Sequence, residues 1–229
     1  MNIKELGKID AVLFDLDGTL IDTAPDMVAV LSRMQQAHGI DSLPYESARA
    51  NVSNGAIGLL RLAFPEAAES DIASLHREYL DRYEAALCIR SSIYPEMPEL
   101  LDALDAGQTP YGVVTNKPQH LTDPLLAALG LTGRLSCCVS GDTLPQRKPD
   151  PAPLLYGCEQ AGVPPHRAVY VGDAARDIEA GRAAGMSTVV AAYGYIVPGD
   201  EPASWNPDAI ATDTKELAKM LLKAVNLDT

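Results

Sequence analysis

Positive charge is scarce in this chain of 229 residues: 18 Lys and Arg stand against 31 Asp and Glu, a formal charge of −13. A surface of that sign repels polyphosphate backbones and anionic lipid, so neither nucleic acid nor a membrane is an expected partner. Long apolar runs are missing too. No stretch approaches the roughly 18 residues that a membrane helix needs. The apolar segment near the N-terminus is far too short for a secretory leader, so a cytoplasmic protein is expected. Cysteine is limited to Cys88, Cys137, Cys138 and Cys158, two of them adjacent and none in a CxxC pair. That pattern predicts buried, reduced thiols rather than a disulfide framework or a thiolate metal site. His38, His76, His120 and His166 have no mutual spacing that suits a metal and read as solvated surface. Trp205, the single tryptophan, reads as a loop anchor.

With 47% apolar and 21% charged residues, the chain can close an ordinary globular core. Residues 9–14 form a short continuous apolar run ending in Asp, Gly and Thr, as a strand buried on both faces does before a loop. From Pro25 the apolar residues Met27, Val28, Leu31 and Met34 predict an amphipathic helix that stops near Gly39. A polar loop entering a helix covers 51–65, and a longer helix about 70–88, so everything from about Thr23 to Ile93 reads as helical without strands. Beyond Tyr94 the pattern alternates. Strands are predicted at 111–115, 137–140, 168–171 and 188–191, with helices at 97–106, 118–129, 151–162, 175–184 and 214–225. The stretch 193–208 is predicted to be a loop. The expected architecture is α/β: a Rossmann-like, doubly wound parallel sheet built from 1–22 and 92–229, with an all-helical domain of 23–91 inserted after its first strand.

Ligands of open α/β sheets bind beyond the carboxyl ends of the strands, so the polar residues that follow each strand are the candidates for chemistry. They are Asp15-Leu16-Asp17-Gly18-Thr19 after the first, Thr115-Asn116-Lys117 after the second, Gly172-Asp173 with Asp177 after the fourth, and Arg147-Lys148-Pro149 between the third and fourth. Carboxylates brought so close repel one another and must take up protons or a cation. With no His or Cys in the set, a hard ion is indicated, Mg²⁺ rather than Zn²⁺. Mg²⁺ and Lys148 together would let a phosphate dianion enter, and a carboxylate could then act as nucleophile.

In their order, FDLDGTL, VVTNKP, RKPDP and VGDAARD resemble the four motifs of the haloacid dehalogenase superfamily, over a span from about Ile9 to Gly185. The resemblance implies that Asp15 is the nucleophile of an aspartyl-phosphate phosphatase and Asp17 its general acid and base. Thr115 and Lys148 would hold the phosphoryl oxygens. Asp15 by its side chain, Asp17 by its backbone carbonyl and Asp173 would bind Mg²⁺, with Asp177 behind them or on a metal-bound water. Residues 23–91 would be the helical cap of the C1 type. Ala174 departs from the Ser or Thr of many members.

The resemblance also bears on the substrate, which in this family is selected by the cap. No lysine occurs between Lys8 and Lys117, which removes the Schiff-base lysine of the phosphonate hydrolases. Asp17 argues against dehalogenation, which needs no acid for a leaving oxygen. IDTAPD and TNKP are similar to phosphoglycolate phosphatases; VSNGA and AYGYIVPGDEPASW are more similar to the bacterial phosphatases of N-acetylmuramic acid 6-phosphate, which act in cell-wall sugar recycling. Asn51, Ser53, Asn54 and Asn116 are candidate substrate contacts, and Arg49 or Arg61 could meet a carboxylate. Ile57 stands where a relative has arginine. The expected activity is thus Mg²⁺-dependent hydrolysis of a small phosphorylated metabolite by a monomer or homodimer, N-acetylmuramic acid 6-phosphate first and phosphoglycolate as the alternative. A phosphomutase comes next, and a non-catalytic phosphate- or metal-binding regulator last.

Overall fold

The computed structural model describes residues 8–227. The first apolar run forms strand β1 (Ala11–Phe14), with all four side chains buried. A short strand β2 (Ile21–Asp22) follows, then helices α1 (Ala24–Ala37), α2 (Tyr45–Arg49), α3 (Gly55–Ala63) and α4 (Glu69–Glu84), and strand β3 (Ser92–Ile93), which pairs antiparallel with β2. The rest of the chain alternates: α5 (Met97–Ala106), β4 (Tyr111–Val114), α6 (Gln119–Ala128), β5 (Cys137–Val139), α7 (Ala152–Ala161), β6 (Ala168–Gly172), α8 (Ala175–Ala183), β7 (Ser187–Ala191), β8 (Ala209–Ala211) and α9 (Thr214–Ala224).

Six of these strands form one parallel sheet in the order β5-β4-β1-β6-β7-β8. The chain winds outward from β1 to β5 and then returns to β6 beside β1. That reversal opens a crevice at the carboxyl ends of β1, β4 and β6. Alternate residues of β1 serve opposite faces. Val12 and Phe14 join the cluster under α5 and α9, with Leu100, Leu104, Leu217 and Leu221. Ala11 and Leu13 join the cluster under α7 and α8, with Leu154 and Ala180. Coverage on both sides explains why the strand is apolar throughout.

Helices α1–α4 surround a separate cluster that includes Met27, Leu31, Met34, Leu59, Leu60, Ile72, Tyr79 and Tyr83. Its apolar side chains recur at helical spacing in α1 and α4, as the sequence predicts. Among the described residues the stretch between β2 and β3 holds helices and no strand. Four short elements depart from expectation: β2; β3, which falls inside the stretch to Ile93 expected to hold no strand; β8, which follows directly on the predicted loop 193–208; and the five-residue helix α2. Two to five residues are too few to show a period. All four cysteines are free, but only Cys137 and Cys158 are buried, while Cys138 is exposed and Cys88 partly so. β5 is an edge strand whose middle residue faces outward, which accounts for Cys138.

One carboxylate ties together the two ends of the helical insertion. Asp26, in the first turn of α1 and 3% exposed, accepts hydrogen bonds from the backbone N–H of Arg90 at 2.9 Å and of Ser91 at 2.8 Å, and from the Ser91 hydroxyl at 2.7 Å. Its removal would leave the Ser91 donors buried without an acceptor. Asp26→Ala is therefore expected to cost about 2–4 kcal/mol in urea unfolding at an unchanged m-value. A loss under about 1 kcal/mol would show that the insertion is anchored elsewhere.

Candidate active site

The loop after β1 passes close beneath the other strand ends, and glycine makes that approach possible. Gly18 has φ +81°, and a Cβ there would lie 2.2 Å from Asp173 Oδ2. A Cβ on Gly194 would lie 2.4 Å from the Gly18 carbonyl oxygen. Asp15 at the end of β1, Asp173 after β6 and Asp177 in the first turn of α8 thereby come together, all three buried, with one oxygen from each within 4.8 Å of the others.

Lys148 enters this cluster from the loop before α7. Its Nζ lies 2.9 Å from Asp15 Oδ1 and 2.8 Å from Asp177 Oδ1, and it donates to the Tyr170 hydroxyl at 2.7 Å. The Tyr170 hydroxyl in turn donates to the Val114 carbonyl at 2.7 Å. Burial, with Asp15 and Asp177 nearby, holds the Tyr170 hydroxyl well above its ordinary pKa, so it stays a neutral relay of hydrogen bonds. Asn116 fixes the backbone of Lys148 from both sides: its amide donates to the Lys148 carbonyl at 2.9 Å and its oxygen accepts from the Lys148 N–H at 3.1 Å. Asp177 has a second contact, accepting from the Ala174 N–H at 3.0 Å through Oδ2, as a helix-capping carboxylate does.

Asp17 stands apart from the acidic cluster. It accepts from the Thr23 hydroxyl at 2.6 Å and from Lys117 Nζ at 3.1 Å. Lys117 also donates to the Tyr83 hydroxyl at 3.1 Å, so one ammonium joins Asp17 to helix α4. Burial works against the charge on Lys117, but Asp17 and Tyr83 more than offset it, and its pKa is raised. A second link runs from the α2–α3 connection. Ser53 donates to Asp173 Oδ2 at 2.6 Å, beside the Tyr195 N–H at 2.8 Å.

Part of this site opens on a cavity of about 420 Å³, whose lining includes Asp15 and Asp17 but not Lys148, Asp173 or Asp177. Asp15, Asp17, Thr115, Asn116, Arg147 and Arg176 line it from the sheet side; Ser53, Asn54, Ile57, His76, Leu80 and Tyr83 line it from the helical side. Of the expected site residues, Asn51 does not reach it, because its amide donates to the Ser47 carbonyl on the surface. Arg49 is not on the wall either. It donates to the carbonyls of Tyr193 and Gly194 and lies 4.9 Å over the Tyr195 ring. Arg61 forms an exposed ion pair with Glu69. His76 departs from the surface reading: it lies on the cavity wall, one turn before Tyr79 and Leu80, and burial lowers its pKa. Arg176 and Tyr195 were not anticipated. Arg176 was legible as the one cation inside VGDAARD; Tyr195 had no local signal, since its partners Asp22, Thr23 and Ala24 are distant in sequence.

The donor set suits a hard cation. Asp173 Oδ1 is buried without a hydrogen-bond partner, and the cluster offers carboxylate oxygens and no nitrogen or sulfur. Burial, reinforced by Asp15 and Asp177, pushes the Asp173 carboxyl up from its ordinary 3.8 to about 7, against the hydrogen bonds from Ser53 and Tyr195. Between those values the folded chain holds a proton that the unfolded chain has released, so metal-free stability is expected to fall as pH rises through that window. Thermal unfolding with and without Mg²⁺ checks this: the gain in Tm on adding the ion should be larger at about pH 8 than at about pH 5. Asp173→Asn should flatten both curves, and a metal-free Tm that rises over that interval would contradict the assignment.

The model of the haloacid dehalogenase-like hydrolase family matches residues 12–191. The chain is 42% identical over 219 residues to the N-acetylmuramic acid 6-phosphate phosphatase of Pseudomonas aeruginosa, covering 95% of this chain and 97% of that one. It is 43% identical over 208 residues to a phosphoglycolate phosphatase of Xylella fastidiosa, with 91% of each chain covered. The crystal structure of a predicted phosphoglycolate phosphatase from Haemophilus somnus superposes with a TM-score of 0.82 at 30% identity, over 93% of this chain and 98% of that one. Ordered motifs, strand order and likeness over nearly the full length agree, and the chain belongs to the haloacid dehalogenase-like hydrolases, as a phosphoric monoester hydrolase.

Proposed function

We propose that this enzyme hydrolyses the phosphate ester of a carboxylate-bearing amino sugar, N-acetylmuramic acid 6-phosphate, in the cytoplasm, with Mg²⁺ as cofactor and residues 23–91 as the cap over its site. The observation that carries the reading is the cavity. A volume of about 420 Å³ lies within the 300–1,000 Å³ of sites that enclose drug-sized ligands, and it is generous for a two-carbon phospho-acid. Its helical wall alternates apolar surface from Val52, Ile57 and Leu80 with the polar groups of Ser53, Asn54 and His76. That mixture suits the faces and substituents of a sugar. The similarity to the Pseudomonas aeruginosa enzyme supports the same substrate.

The chemistry follows from the carboxylates. One oxygen of Asp15 attacks phosphorus while the bond to the sugar oxygen breaks, and Asp17 gives that oxygen its proton. Water then attacks the aspartyl-phosphate, Asp17 takes a proton from it, and the P–O bond to Asp15 breaks to release inorganic phosphate. Lys148 orients Asp15 through its 2.9 Å contact, and Thr23 with Lys117 holds Asp17 on the leaving-group side. Asp15, Asp173 and the main chain at Asp17 would hold Mg²⁺. When bound, the ion supplies the positive charge that lets a phosphate dianion approach these acids.

Steady-state kinetics test the reading. kcat/KM for N-acetylmuramic acid 6-phosphate should exceed that for 2-phosphoglycolate by at least about tenfold, a margin that one set of added pocket contacts can supply. The reverse order would move the substrate to phosphoglycolate and leave the phosphatase standing. Asp15→Asn should lower kcat by at least about a thousandfold with the fold retained by circular dichroism. Substantial turnover in that variant would remove Asp15 from the role of nucleophile.

A further inference from the structure

A phosphatase site needs donors for the non-bridging oxygens of its substrate, and the cations nearest the nucleophile are already engaged. An ammonium has three N–H donors. Lys148 has three acceptors within 2.9 Å, Asp15, Asp177 and Tyr170, and its side chain is 0% exposed. Lys117 is divided between Asp17 and Tyr83. Arg147 is exposed and gives its Nε to the Gly141 carbonyl.

Arg176 differs from all of these. It is the second residue of α8, next to Asp177, half-buried, and it lines the same cavity as Asp15 and Thr115. Among the described residues its guanidinium donates no hydrogen bond and enters no ion pair. A planar fork of five donors matches a phosphoryl group with two parallel bonds, where an ammonium offers a single point of charge.

We propose that Arg176 is a catalytic residue that binds the non-bridging phosphoryl oxygens of the substrate, while Lys148 serves chiefly to hold Asp15. The proposal rests on the phosphatase reading and assigns to Arg176 the larger part of the phosphate contact that the sequence predicts for Lys148. The competing role for Arg176 is to offset the charge of Asp15, Asp173 and Asp177 without touching substrate.

The full-length chain with Mg²⁺ distinguishes the two. In Arg176→Gln the inhibition constant of inorganic phosphate should rise by at least about tenfold and kcat/KM for p-nitrophenyl phosphate fall by about a hundredfold, sizes usual for one charged donor. Arg176→Lys should recover only part of each. Calorimetric affinity for Mg²⁺ alone should stay level or tighten in Arg176→Gln, because a positive charge beside its site has been removed, and should stay level in Arg176→Lys, which keeps that charge. An unchanged phosphate inhibition constant in Arg176→Gln, with only Mg²⁺ affinity altered, overturns the proposal. So does full recovery by Lys, which would reduce the residue to its charge. If the unmodified chain neither binds phosphate nor turns over p-nitrophenyl phosphate, the phosphatase reading falls and the proposal falls with it.

Discussion

Three buried carboxylates within 4.8 Å of one another are the constraint on which the rest of the structure depends. Like charges at that separation in a poorly hydrated site cannot all persist unaided. Lys148 offsets part of the charge through Asp15 and Asp177, and Asp173 is left with the balance. The raised pKa of Asp173 and its unpartnered oxygen express the same deficit, one in protonation and one in coordination. A divalent cation would remove both, and under the proposed function the same property that strains the metal-free cluster would ready it for a metal and a phosphate dianion.

The helical insertion contacts that cluster directly. Ser53 bonds the very carboxylate that lacks a cation, and Lys117 bonds Asp17 and Tyr83 together. Arg49 secures the same region from outside, against the carbonyls of Tyr193 and Gly194. These contacts are polar. The apolar helical cluster, by contrast, is largely self-contained, and of the buried residues in it only Leu121 and Tyr195 come from outside the insertion.

The fold was legible wherever burial imposes a period. Continuous apolar runs marked β1, β4, β6 and β7, and helical spacing marked α1 and α4, because those elements bury whole faces. β2, β3, β8 and α2 were not legible because two to five residues carry no period. In the site, Asp15, Asp17, Thr115, Lys148, Asp173 and Asp177 were legible as candidates because they follow the carboxyl ends of strands or the turn beyond them, where ligands of open α/β sheets bind. Arg49, Asn51 and Arg61 were offered as substrate contacts on residue type alone, and the structure puts them elsewhere. A polar side chain in a helical loop has many partners available to it, and nothing local decides among Ser47, Glu69 and the Gly194 carbonyl. His76 failed in the other direction: its place on the wall is set by Tyr79 and Tyr83, which turn that face of α4 inward.

The division of the cavity follows from the two kinds of scaffold. The sheet side presents acids and cations on strand ends held by the parallel ladder, where displacement by an ångström would misalign an in-line displacement at phosphorus. The helical side presents Val52, Ile57, Leu80, Asn54 and His76 from helices and a short turn, whose demands are shape and a few hydrogen bonds. Under the proposed function, substitution on that wall would change which alcohol is accommodated and leave the distances among Asp15, Lys148 and Asp173 untouched. Ser53 is the exception. It belongs to the helical side by sequence and to the acidic cluster by its 2.6 Å bond, so under the proposed function a change there would reach both substrate fit and metal binding.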